Sequence, residues 1–131
     1  MRYSPAVIDH FDNPRNSGVL DHPDAVGKNG TPGGGNYMII QIHVAEGHIA
    51  EIRFQTYGCP AAIACGSMIT ELAKGKTLAE ARAISEEDLA AALGNLPAGK
   101  EQCGHLAVGA LRDAIDRIAL PPGTAVSGTP Q

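Results

Sequence analysis

The stretch YMIIQIHVAEGHIAEIRFQTYG, residues 37–58, decides the fold. Met38, Ile40, Ile42 and Val44 alternate with more polar neighbours, the two-residue period of a half-buried strand. Glu46-Gly47 reads as a turn, and Ala50, Ile52 and Phe54 then resume the alternation. Two alternating runs across a short turn predict an antiparallel hairpin. Directly after Gly58 the period changes. Pro60 suits the first position of a helix, and Ala62, Cys65, Gly66, Ile69, Leu72 and Ala73 form one apolar stripe before Gly75 closes it.

Outward from this core, Ser4 and Pro5 form a helix start, with Ala6, Val7, Ile8 and Phe11 as its apolar face and Asn13-Pro14 as its end. Residues 13–36, rich in Gly, Pro, Asn and Asp, read as loop with a short edge strand near Val26. Thr77 with Glu80, and Ser85 with Asp88, fit capping boxes. They open two short helices that end near Ala83 and Leu93. GNLPAGKEQCG, residues 94–104, reads as a loop. The last helix spans roughly 105–119, with Ala107, Leu111, Ala114, Ile115 and Ile118 on its buried face. On its wet face, Arg112–Asp116 and Asp113–Arg117 have the spacing of ion pairs one turn apart. PPGTAVSGTPQ, residues 121–131, reads as a disordered tail. The pattern predicts one α+β domain over 1–120: a small antiparallel sheet of about three strands, covered on one face by helices, with a long C-terminal helix.

Composition narrows the function. A chain of 131 residues, 44% hydrophobic and 18% charged, fits one ordinary globular core. A net charge of −4 without a Lys/Arg cluster argues against nucleic acid as a partner. No apolar run approaches the ~18 residues that would suggest a membrane span. The N-terminal MRYSPAVIDHF lacks the apolar stretch of a secretory signal, so the expected location is cytoplasmic. Three cysteines, Cys59, Cys65 and Cys103, read in a reducing compartment as thiols or metal ligands, not as a disulfide framework.

Two of these cysteines share a context. Cys59 follows a strand and precedes the helix opened by Pro60; Cys103 sits beside Gly104, just before the last helix. A helix N-terminus favours a thiolate, the form that binds metal and attacks sulfur. The alternative is a pair of structural cysteines near helix starts. Cys65 lies on the apolar stripe, roughly 9 Å along the helix from Cys59 at 1.5 Å per residue, and reads as core. Of the five histidines, His43 and His48 flank the hairpin and His10 caps or packs near a helix end. His105, two residues after Cys103, is either a metal ligand or a first-turn surface residue. No serine-hydrolase, phosphate-loop or zinc-protease motif is present.

YSPAVIDHFDNPRNSG, GTPGGGNYMIIQIHV, IRFQTYGCPAAIACGS and LPAGKEQCGHLA together resemble the signature stretches of the IscU/NifU-type iron–sulfur cluster assembly scaffolds. The resemblance runs from Tyr3 to about Ile118. It implies an α+β scaffold, not an enzyme, that binds iron and assembles a labile iron–sulfur cluster. It also implies partners: a cysteine desulfurase that supplies sulfur, an Hsp70-type chaperone pair, and apo iron–sulfur proteins that receive the cluster.

The family's site has three cysteines, an aspartate and a histidine, and here only part of it matches. The second and third cysteines map to Cys59 and Cys103. The first cysteine, its glycine and the aspartate read Gly34, Gly35 and Asn36, and the histidine reads Gln102. The chaperone-recognition stretch, usually Leu-Pro-Pro-Val-Lys, reads Leu96-Pro97-Ala98-Gly99-Lys100. Two thiolates cannot by themselves complete a zinc site or hold a cluster that takes four cysteines. Three routes follow. A homodimer could pool Cys59 and Cys103 from each chain, His105 or an external thiol could complete an iron–sulfur or Zn site, or the chain could bind no metal. In the last case it would serve as a persulfide carrier or as an adaptor of the desulfurase.

Overall fold

A computed structural model describes residues 3–31, 33 and 35–119; the expected tail, 121–131, lies outside the described residues. The element order is α1 (Pro5–Asp12), β1 (Ala25–Gly30), β2 (Tyr37–Ala45), β3 (His48–Tyr57), α2 (Pro60–Ala73), α3 (Leu78–Arg82), α4 (Glu86–Ala92) and α5 (Glu101–Ala119). The three strands form one antiparallel sheet in the order β1-β2-β3. The fold is the expected α+β arrangement, with Met38, Ile40, Ile42, Ile52 and Phe54 buried in the same core as α2 and α5.

The hairpin departs from simple alternation at one point. His43 pairs with Glu51, but Val44 pairs with Ile49, so Ala50 is an extra residue in β3. The bulge lets Ala50 and Glu51 both face water while Ile49 and Ile52 are buried. Ala50, expected on the buried face, is therefore exposed.

The helices are held close. A Cβ on Gly27 of β1 would lie 2.1 Å from the Ala110 carbonyl of α5, so only glycine permits this approach. α1 docks on α2 through a polar contact: His10 Nδ1 meets Ser67 Oγ at 2.7 Å, and the Arg15 amide donates to the same oxygen at 2.9 Å. Val7 and His10 are the buried residues of α1, whereas Ile8 and Phe11, expected inside, are exposed. Ser17 bridges to Phe54, so the loop after α1 covers the free edge of β3.

Both capping boxes form as expected: Thr77 with Glu80, and Ser85 with Asp88. The Asp113–Arg117 pair also forms, at 3.3 Å. The expected Arg112–Asp116 pair does not. Asp116 instead takes both nitrogens of the Arg82 fork at 2.7 and 2.9 Å, and Arg112 donates to the carbonyls of Arg82 and Ile84. A bidentate arginine and two orphan carbonyls at the end of α3 outcompete a single contact along one helix. No described helix is long and apolar enough to cross a membrane.

Candidate functional site

The strand register brings the site together. Tyr37 opens β2 and pairs with Tyr57, which closes β3; their rings stack at 6.2 Å. Asn36, just before β2, therefore meets Gly58, just after β3 and next to Cys59 in sequence. A Cβ on Gly58 would lie 2.2 Å from Asn36 Oδ1, so glycine at 58 is what leaves room for the Asn36 side chain. The third contribution comes from the first turn of α5. That helix begins at Glu101, four residues earlier than its sequence suggests, because Gly104 continues the helix instead of breaking it. Cys103 consequently lies inside the first turn, with its amide donating to the Lys100 carbonyl at 3.0 Å.

The sulfurs of Cys59 and Cys103 are 3.8 Å apart. Two 2.3 Å bonds meeting at a tetrahedral angle place their sulfurs about 3.8 Å apart, so the pair already has the spacing of two ligands on one ion. Asn36 Nδ2 also lies 3.8 Å from Cys103 Sγ. Cys59 is half-buried and Cys103 is fully buried. Cys59 is the N-cap of α2, with its backbone carbonyl accepting from the Ala62 amide at 2.9 Å.

The two thiols are unequal. Burial raises the Cys59 thiol, but the amides of Ala62 and Ala61, the Cys103 thiol and the Lys100 ammonium together bring it below its ordinary value. Cys103 is pushed up to about 12 by burial and by the negative charge on Cys59. The thiolate form is therefore favoured at Cys59 over Cys103. Cys65 is fully buried in the core, and burial drives its thiol far above the ordinary range.

His105, expected as a possible third ligand, is not brought to the pair. Two residues along a helix correspond to about 200° of rotation, which turns its side chain away from that of Cys103. Its Nδ1 meets Glu86 Oε2 of α4 at 2.9 Å, and the side chain is largely exposed. Among the described residues, no group of three His, Cys, Asp or Glu side chains is placed to hold a metal ion. Gln102, His105, Asn36 and Gly35 instead line a cleft of about 530 Å³ next to Cys103's helix turn. Lys100 was not singled out by its chemistry in the sequence. The available signal was its position three residues before Cys103, one helical turn away.

Residues 2–119 match the NifU-like N terminal domain family. The chain is 52% identical over 113 residues to the iron–sulfur cluster assembly scaffold protein IscU 1 of Archaeoglobus fulgidus, covering 86% of this chain and 74% of that one. It is 48% identical over 119 residues to the scaffold protein IscU of Escherichia coli strain K12, covering 88% and 92%. The fold is similar to a crystal structure described as a putative iron–sulfur cluster assembly scaffold protein for the SUF system from Fervidobacterium islandicum. That match has a TM-score of 0.69 at 19% identity and covers 86% of this chain and 96% of the other.

Proposed function

This chain belongs to the NifU-like N terminal domain family, and on that premise we propose that it is an iron–sulfur cluster assembly scaffold whose acceptor site is the Cys59–Cys103 pair. The observation that carries the reading is the 3.8 Å separation of the two sulfurs, the spacing two thiolates take on one metal ion. The scaffold names of its relatives support the same role and favour it over a metal-free adaptor.

A cluster with four thiolate ligands needs two more than one chain's pair supplies. Asn36 and Gln102 are neutral amides where the family carries anionic or imidazole ligands, so they add little affinity for a divalent cation. A two-fold dimer offers Cys59 and Cys103 from each copy and completes the set symmetrically. A tetrahedral Zn ion would fit the same four sulfurs. Half-burial of Cys59 leaves a route for the cargo to enter and leave, as a labile site requires. In this role a cysteine desulfurase supplies sulfur, an Hsp70-type chaperone pair assists release, and apo iron–sulfur proteins receive the cluster in the cytoplasm. The protein acts by holding the cluster and performs no turnover chemistry on a small-molecule substrate.

The test is anaerobic reconstitution with ferrous iron and sulfide, followed by desalting. Wild-type protein should retain iron and sulfide in equal amounts with visible charge-transfer absorbance. Cys59→Ala and Cys103→Ala should each abolish retention while the far-ultraviolet circular dichroism is kept. Retention equal to wild type in either variant would place the cluster elsewhere.

A further inference from the structure

The face of the sheet turned away from the helices carries a second group of ligating side chains, remote from the cysteines. Ala25 pairs with Ile42 and His43 pairs with Glu51, so Asp24, His43 and Glu51 fall in one row across the three strands. Ile42 and Ile52, their neighbours in sequence, are buried in the core under the helices, which leaves the row on the opposite face. The loop before β1 folds over this row. The Leu20 amide donates to Gln41 Oε1 at 2.7 Å, which brings Asp21 and His22 to the same place. Asp21, His22, His43 and Glu51, with Leu20, line one cleft of about 250 Å³.

We propose that this cleft is a binding site for one divalent transition-metal ion, held by the imidazoles of His43 and His22 and the carboxylate of Glu51. The site does not depend on the cysteine pair. From Glu51 to Tyr57 along β3 is about 20 Å at 3.3 Å per residue, and Cys59 lies beyond Tyr57.

His43 is set for ligation. Its Nδ1 lies 2.9 Å from Asp24 Oδ2, and the same oxygen accepts the Val44 amide at 2.7 Å. In the neutral ring the proton therefore sits on Nδ1, and Nε2 keeps its lone pair. A carboxylate on the far nitrogen is the usual support of a metal-bound histidine: it fixes the ring and raises its basicity. Glu51 is the direct cross-strand neighbour, with Cβ atoms about 5 Å apart. No three ligating groups among the described residues meet at one point, so the ion must draw His22 and Glu51 inward onto His43. Both are exposed, and packing does not fix their rotamers. Asp21 adds a negative charge to the same cleft. Two imidazoles with carboxylate select zinc, cobalt, nickel or ferrous iron over magnesium and calcium, which take oxygen ligands. One ligand comes from the loop and two from the strands. The bound ion therefore ties the loop that bridges to the edge of β3 onto the sheet, and stabilises the fold by mass action.

The probe is zinc chloride, titrated into reduced, untagged protein while the histidine ring signals are followed by NMR. The Cys59→Ala/Cys103→Ala variant is run beside wild type, which separates zinc on imidazoles from zinc on thiolates. In both proteins the His22 and His43 rings should shift together, while those of His48 and His105 stay in place. In the thiol-free variant the shift should saturate at one zinc per chain. His43→Gln should weaken this binding about tenfold or more, and Glu51→Gln should weaken it as well. If the cysteine variant does not fold, wild type decides alone, because the ring signals themselves identify the site. The proposal is overturned if the His22 and His43 signals stay unmoved in a large excess of zinc. It is equally overturned if the two saturate at different zinc concentrations, or if folded His43→Gln binds zinc as tightly as its parent. Iron and sulfide retention by the cysteines is a separate readout and decides neither outcome.

Discussion

Asn36→Asp should act in opposite directions on the metal-free and metal-loaded site. The substitution places a carboxylate oxygen where Asn36 Nδ2 now lies, 3.8 Å from Cys103 Sγ. At that distance and an effective dielectric of about 20, a negative charge opposes a Cys103 thiolate by about 4 kcal/mol. Cys59 Sγ is a further 3.8 Å from Cys103 Sγ at most. The same charge therefore acts on Cys59 across no more than about 8 Å, worth about 2 kcal/mol. Cys59 is half-buried, and partial exposure to water reduces this to about 1 kcal/mol. The sign follows from the charge: a carboxylate disfavours the thiolate, so the Cys59 midpoint moves up toward the ordinary thiol range. The assay is iodoacetamide labelling of Cys59 against pH, read by peptide mass. At neutral pH the rate should fall about fivefold, because labelling follows the thiolate fraction. Cobalt retention after desalting should rise, since the same charge attracts a divalent cation. Unchanged or faster labelling in a folded variant would refute the placement of Asn36 beside the pair. Slower labelling without any gain in cobalt would refute its facing the metal position.

Three further outcomes are expected. Gly58→Ala puts a methyl group against the end of the Asn36 side chain, which must turn aside, and should cost at most about 1 kcal/mol in urea unfolding. Asn36→Ala removes the obstacle, so the double variant should recover most of that cost; strict additivity would contradict the contact. Cys65→Ser buries a hydroxyl in an apolar site and should cost about 1–3 kcal/mol, yet leave iron retention per folded chain unchanged. Adding Gly34→Cys to Asn36→Asp should increase metal retention beyond Asn36→Asp alone, because each added anionic ligand strengthens a four-coordinate site; no gain in the folded double variant would break the correspondence between 34–36 and the family's first motif.

Much of the fold was legible because its periods are clean. The alternation in 37–58 and the stripe from Ala62 to Ala73 gave the hairpin and α2, and the capping boxes at Thr77 and Ser85 placed α3 and α4. The bulge at Ala50 was not legible, since alternation in the letters continues through it and only the pairing of Val44 with Ile49 reveals it. The start of α5 was misplaced because Gly99 and Gly104 look like breakers, although a glycine in a helix interior costs only about 1 kcal/mol, which packing can offset. Arg82 captured Asp116 from α3, a tertiary choice that spacing along α5 cannot show.

At the site, the helix-start context singled out Cys59 and Cys103, but their 3.8 Å contact depends on sheet register and on the docking of α5. Asn36 and Gln102 were visible only through the family resemblance. The fit of Asn36 against Gly58 needed the structure. Proximity in sequence misled for His105, since two residues on a helix face nearly opposite ways.

The most direct test of the central claim is native mass spectrometry of the anaerobically reconstituted protein. The account predicts a species of two chains carrying two irons and two sulfides, absent when Cys59 is replaced by alanine. A folded wild-type protein found only as cluster-free chains, or a species that survives Cys59→Ala unchanged, would contradict it.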